Sequence, residues 1–269
     1  MKFQHSHFIT LQNLITEYNS IIKEVISKED GNSFSKKYQK VLFDFIERFY
    51  YLTSSILSIA NKMDIDQENN HNYLFPIGIL NRTIITDILT SIYLISKLSE
   101  SKDEKFDDFE KELLKLNYYS LNKISKTWPL HSLETDQSKK ILLNFYSHFP
   151  DCYNNIDDKV ILKTDIKGPP QVFQIADIIK NMDNMELKSF SNAYLLYVFY
   201  SQYEHFSEVS KRYLYTDKSF DFRFFLDTIN YLLLCTSLIL SILKLTENKD
   251  RYNELFKNYL DLSNAVTNE

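Results

Sequence analysis

The chain has 269 residues, a formal net charge of −5, an apolar share of 44% and three glycines. That apolar share suits a packed core rather than a disordered chain, and the mild acidity argues against a DNA-coating role, which needs a basic stripe. So few glycines cannot furnish the tight turns of a many-stranded sandwich or barrel. Nor can they build a dinucleotide fingerprint or a phosphate loop, where the backbone must approach a phosphate with no Cβ in the way.

Apolar residues recur at helical spacing along nearly the whole chain. Phe8, Leu11, Leu14, Ile15, Tyr18, Ile22 and Val25 make a first stripe, which a break at Lys28–Asn32 ends. A long helix is predicted over 33–63, with Phe45, Ile46, Phe49 and Ile56 inward. The polar run 64–72 follows. It resembles a calcium loop only superficially, since the sixth and twelfth positions hold Asn69 and Phe75 instead of Gly and Glu. Pro76 then suits the first turn of a helix running to about Leu98. Ser101-Lys-Asp-Glu104 reads as a capping box opening a charged amphipathic helix that Trp128-Pro129 ends. A shorter helix holds Ile141, Leu142, Phe145 and Tyr146, and Pro150 closes it.

Residues 151–170 read as the longest irregular stretch, with Val160–Leu162 the one candidate strand. Helices are predicted next over 172–181, 189–215, 217–245 and 250–264. The chain is therefore expected to be all-α, a single domain 1–269 built as a bundle of about eight or nine helices. A subdivision into 1–100 and 101–269, the latter carrying the 151–170 loop, is the alternative.

Cys152 and Cys235 stand far apart and form neither a zinc framework nor a disulfide scaffold, which fits a reducing cytoplasm. The first residues show no secretory leader pattern. Tyr231–Leu245, the most apolar run, falls short of the roughly 20 residues that cross a bilayer, so no membrane span is expected. No cofactor motif is found. His5-Ser-His7 resembles a metal-binding pair, but no set of ligands at metal spacing accompanies it, and no metal site is assigned.

The most informative helix is 189–215. Tyr197, Ser201, His205, Glu208 and Arg212 share one face, polar within an aromatic-rich helix whose other faces carry Phe199, Tyr203 and Phe206. Polar groups so aligned are costly unless paired or set in a cleft. His205 is either a core histidine bonded to a neighbour or a catalytic acid or base. Arg82, in Asn-Arg-Thr-Ile-Ile-Thr-Asp87, interrupts another apolar helix and needs an acceptor, with Glu208, Glu204 or Asp87 the candidates. Were the two helices side by side, Arg82 and His205 would share a pocket, with Tyr197, Tyr200, Ser201 and Asp87 as binding residues. The surplus of aromatics on this helix also favours a protein partner or self-association as a homodimer.

Arg82, Asp87 and Ile92-Tyr93-Leu94, with Tyr200-Ser201-Gln-Tyr-Glu-His205, resemble an uncharacterised family of bacterial all-helical proteins over about 81–207. That family is similar in pattern to abortive-infection proteins, which implies antiviral defence as a setting. The enzymes of that setting are HEPN-like ribonucleases, helical bundles that cleave RNA without metal. In them an arginine precedes the histidine, whereas here His205 precedes Arg212. The resemblance implies His205 as acid or base and Arg82 or Arg212 as the group that steadies the phosphorane charge, with Glu208 beside them in the site. The leading expectation is a helical interaction or regulatory protein of such a defence system. The alternative is a metal-independent ribonuclease.

Overall fold

The computed structural model describes residues 5–29, 33–63, 71–100, 106–127, 136–156, 159–203 and 218–268. Its helices are α1 (His5–Lys28), α2 (Lys37–Ala60), α3 (His71–Glu100), α4 (Asp107–Thr127), α5 (Asp136–His148), α6 (Val172–Lys180), α7 (Met185–Ser189), α8 (Ala193–Ser201), α9 (Lys218–Leu243) and α10 (Lys249–Asn268). A two-stranded hairpin, β1 (Tyr153–Ile156) and β2 (Lys159–Leu162), lies between α5 and α6. The protein is an all-α multi-helix bundle.

The chain divides into two compact units. One comprises Met1–Tyr93 with Ile175–Glu269, and the other Leu94–Gln174. In the first, α1 packs on α2 and α10, and α9 packs on α2, α10 and α8. These contacts close a cycle of four long helices, each turning its apolar stripe inward as the spacing requires. Leu11, Ile22, Leu42, Phe49, Ile56, Leu232, Ile239 and Leu255 are among the side chains sealed there. Buried hydroxyls in this core all find partners: Tyr18 meets Thr236 at 3.0 Å, Thr53 gives to Asn19 at 2.6 Å, and Tyr252 gives to the Leu233 carbonyl at 2.7 Å. Burial lifts the Tyr18 and Tyr252 phenols far above their ordinary range, so both stay neutral hydrogen-bonding groups. Outside the core, Arg251 of α10 spans Glu17 and Glu24 of α1 at 2.7 and 2.9 Å.

The second unit has its own apolar centre of Tyr118, Leu121, Leu142, Cys152 and Tyr153. The hairpin pairs Tyr153 with Leu162 and Asn155 with Val160. Val160–Leu162 is thus a strand, but one that needs β1 beside it, inside a stretch the sequence reads as irregular. The Lys163 N–H extends the ladder to the Cys152 carbonyl at 3.0 Å.

Several boundaries differ from the periodicity reading. α3 starts at His71, so Pro76 lies inside it. Its missing N–H leaves one carbonyl without its intrahelical donor near the helix start, where few bonds are at stake. The helix expected over 189–215 starts earlier and is broken. Asn184 caps α7 by accepting from the Glu186 and Leu187 N–H groups, and a 3-10 turn over Phe190–Asn192 joins it to α8. After Ser201 the bonds tighten to three-residue closure, Gln202 to Phe199 and Tyr203 to Tyr200, which ends α8. The capping box Ser101–Glu104 lies outside the described residues. α9 ends in a Schellman turn: Lys244 N–H meets the Ser241 carbonyl, and Leu245 N–H meets the Leu240 carbonyl. Lys244 takes φ 62° there, in the left-handed region.

Two helix segments, Phe75–Leu98 and Phe222–Leu243, are long and apolar enough to cross a membrane. The second extends the run expected from Tyr231 by counting the apolar residues before it. In the fold, 67% and 56% of their most apolar windows are buried.

Candidate functional site

α3 and α8 run antiparallel, and three contacts give the register. Gly78 faces Tyr203, Asn81 Nδ2 gives to Tyr200 Oη at 3.3 Å, and Arg82 Nη2 gives to Tyr197 Oη at 2.9 Å. A Cβ at residue 78 would stand 2.6 Å from Tyr203 Cδ1, so glycine is what lets the ring lie on the α3 backbone. The Arg82 guanidinium carbon lies 4.8 Å from the Tyr197 ring centre, a cation–π contact on top of the hydrogen bond. Tyr197 in turn stacks on Tyr194, with centroids 5.8 Å apart and planes 17° from parallel.

Behind this partly exposed cluster lies a sealed one. Asn81 is 1% exposed and Tyr200 3%. Thr228 of α9 stands 3.5 Å from the Tyr200 hydroxyl while giving its proton to the Phe224 carbonyl at 2.9 Å. Asn81 Oδ1 is buried with no hydrogen-bond partner. Phe199, one position before Tyr200, stacks on Phe224 at 4.1 Å.

The structure brings Arg82, Tyr197 and Tyr200 to the same α3–α8 contact and leaves Asp87 out of it. Five residues along a helix turn about 140° beyond a full revolution, so Asp87 cannot share the Arg82 face. It pairs instead with Arg48 of α2, through Nε–Oδ2 at 2.9 Å and Nη2–Oδ1 at 3.2 Å. The expectation that Asp87 serves Arg82 is therefore corrected. Nothing in its own helix marks Arg48 in the sequence; only the meeting of α2 with α3 does. Burial holds the Asp87 carboxyl above its ordinary value of 3.8, against the opposing pull of Arg48.

Ser201 gives its hydroxyl to the Val198 carbonyl of its own helix at 2.6 Å, an ordinary back-bond rather than a poised nucleophile. His205, Glu208 and Arg212, and Glu204 with them, lie outside the described residues. His5 and His7 both fall within α1. No group of metal-ligating side chains occurs among the described residues. Cys235 is sealed against Ser91 at 3.2 Å, and burial pushes its thiol up to about 12, which makes it unreactive at neutral pH.

A groove of about 480 Å³ lies between α1 and α10, lined by Thr10, Asn13, Glu17, Asn258 and Asp261. Leu14, Leu255 and Leu262 also line it, so polar, acidic and apolar side chains are mixed there, without the tyrosines of the α3–α8 contact.

The outer side of α8 is apolar. Leu195 is 69% exposed and Val198 42%, and Ala193–Ser201 holds no charged residue. Met185 of α7 is 74% exposed. Among the described residues the arrangement therefore sets the Arg82 guanidinium against stacked rings, beside an uncharged apolar surface of α8. Comparison of the chain with family models, with curated proteins and with solved structures returns no match.

Proposed function

We propose that this chain is a helical interaction protein that self-associates through α8, in the setting of a bacterial antiviral, abortive-infection type of defence. The observation that carries the interaction reading is Leu195, more than two-thirds exposed beside Val198 on a helix with no charge. Exposing two branched apolar side chains on one helix face is unfavourable in water, and a second copy of the same face covers them without desolvating a charge. The defence setting rests on the resemblance of the Arg82 helix and of Tyr200-Ser201…His205. Cys152 and Cys235 are both free thiols, which accords with the cytoplasm. Light scattering over a range of concentrations tests the self-association. A dimer that Leu195→Glu with Val198→Glu converts to a folded monomer is the expected result. A wild-type monomer at the highest concentration removes the reading.

The second reading is a metal-independent ribonuclease with His205 as acid or base and Arg82 as stabiliser. What favours it is that Arg82 is hydrogen-bonded to Tyr197, eight positions before His205 in the sequence. Incubation with total RNA beside a His205→Ala variant tests it, and absence of cleavage by the wild type ends it.

A further inference from the structure

We infer that the groove between α1 and α10 is a binding site for a linear aliphatic polyamine, its ammonium groups meeting Glu17 and Asp261 and its methylene chain lying on leucines. The site does not depend on self-association through α8, which takes no part in the groove.

The two helices run antiparallel. Lys28, at the end of α1, pairs with Glu247 just before α10, and Arg251, in the first turn of α10, pairs with Glu24 and Glu17. Beyond Arg251, the stretch Leu255–Leu262 faces Thr10–Glu17 across the groove. A rise of about 1.5 Å per residue makes the groove about 10 Å long, with Glu17 at its Leu255 end and Asp261 at its Thr10 end. Two carboxylates so placed stand at the two ends of a trough rather than around one point.

The inner wall of the trough is apolar. Leu14, Leu255 and Leu262 are 5%, 1% and 5% exposed, whereas Asn13, Asn258 and Asp261 at its rim are exposed. A volume of about 480 Å³ is that of a small-ligand site. The charge is of one sign, for no basic side chain lines the groove. Arg251 gives Nη2 to Glu17 Oε1 at 2.7 Å and Nη1 to Glu24 at 2.9 Å. One guanidinium is thus shared by two carboxylates. It fixes the Glu17 side chain and leaves Oε2 to accept a further donor. Asn13, Asn258 and Asp261 make no hydrogen bond or ion pair with another described residue.

This combination selects the ligand. A divalent metal ion needs oxygens converging on one centre, which carboxylates at opposite ends do not supply. An anion would meet two carboxylates and no cation. An uncharged apolar molecule would use the leucines while drawing the carboxylates out of water unpaired. An extended chain of methylenes with an ammonium near each end covers the leucines and pairs both acids, and the two asparagine carbonyls accept its remaining N–H groups.

Equilibrium dialysis of the full chain against spermidine, putrescine and propylamine tests the site. At least one of the two polyamines binds, and more tightly than propylamine, which has a single ammonium. Asp261→Asn weakens polyamine binding about fivefold, the upper end for an ion pair still partly in water, while Glu254→Gln stays within about twofold. Glu254 is an exposed acid of the same helix outside the groove, so it reports general electrostatic attraction. Circular dichroism confirms that both variants fold. Absence of binding by both polyamines at millimolar concentration overturns the site. So does propylamine binding as tightly as the polyamines, a folded Asp261→Asn that binds like the wild type, or an equal loss in Glu254→Gln. Magnesium chloride displacing putrescine as well as an equal concentration of spermidine does would also overturn it.

Discussion

Arg82 of α3 holds Tyr197 of α8 in two ways at once, through a 2.9 Å hydrogen bond to the phenol oxygen and a 4.8 Å approach to the ring centre. The two contacts are separable by substitution. Tyr197→Phe removes the hydroxyl and keeps the ring, and is expected to cost about 1 kcal/mol. Tyr197→Leu removes both, and is expected to cost about 1 kcal/mol more. Urea denaturation of the two variants measures the difference. Equal losses would mean that the ring contact contributes nothing.

Gly78 stands under Tyr203, and two opposing effects decide what alanine does there. Helix propensity favours alanine by about 1 kcal/mol in an open helix interior. The new methyl, however, would lie 2.6 Å from Cδ1 and 2.7 Å from Cγ, the root of the ring, which cannot swing aside as a flexible tip does. Overpacking of that kind costs about 1–3 kcal/mol, so the clash wins and Gly78→Ala lowers the melting temperature. A variant melting at or above the wild type would show that the two helices do not approach so closely.

Asp87 carries a pH dependence whose sign differs from that of most paired carboxylates. Its burial outweighs the help of Arg48, so its folded value lies above the ordinary 3.8. Between these two values the folded chain binds more protons than the unfolded one, and this group's contribution to stability rises as the pH falls through that window. Below 3.8 both forms are protonated and the gain stops growing. Asp87→Asn abolishes the titration. The stability lost in that variant is therefore expected to be larger in mildly acid solution than at neutral pH, as read from denaturant midpoints at the two conditions. A loss that shrinks on acidification would place the folded value below 3.8.

Lys244 occupies the left-handed position that closes α9, with φ 62°. A side chain there clashes with the following carbonyl, at a cost of about 1–2 kcal/mol. Its side chain is exposed, so little packing is lost on removing it. Lys244→Gly is expected to raise stability by about 1 kcal/mol, seen as a higher urea midpoint with unchanged slope. No gain would show that the lysine side chain contributes as much as its backbone costs.

The helical class is written in local spacing. The stripe from Phe8 to Val25 and that from Phe45 to Ile56 repeat at the period of a helix, and a period is readable from neighbours in sequence alone. The polar side of the Tyr197 helix, and the oddity of an arginine at 82, are local facts of the same kind. Where the helices stop is a different matter. The break over Phe190–Asn192 and the end at Ser201 keep apolar residues on both sides, so periodicity runs straight through them, and only the backbone bonds reveal the interruption. Pro76 likewise looks like a helix start when surrounding turns are ignored.

Partners are what only the tertiary structure decided. Asp87 looks like a mate for Arg82 in sequence, yet a helix turns them to different sides, and Arg48 arrives from α2 instead. Gly78 gives no hint of Tyr203, nor Ser91 of Cys235, because each pair is separated by well over a hundred residues and meets through helix packing. Alone, the sequence determined that this chain folds as helices, and it marked Arg82 and the stripe of Tyr197, Ser201, His205, Glu208 and Arg212 as unusual on them, of which His205, Glu208 and Arg212 lie outside the described residues. Which unusual residues touch depends on the rotation and register of one helix against another, set by the summed fit of many apolar side chains rather than by any short run of residues.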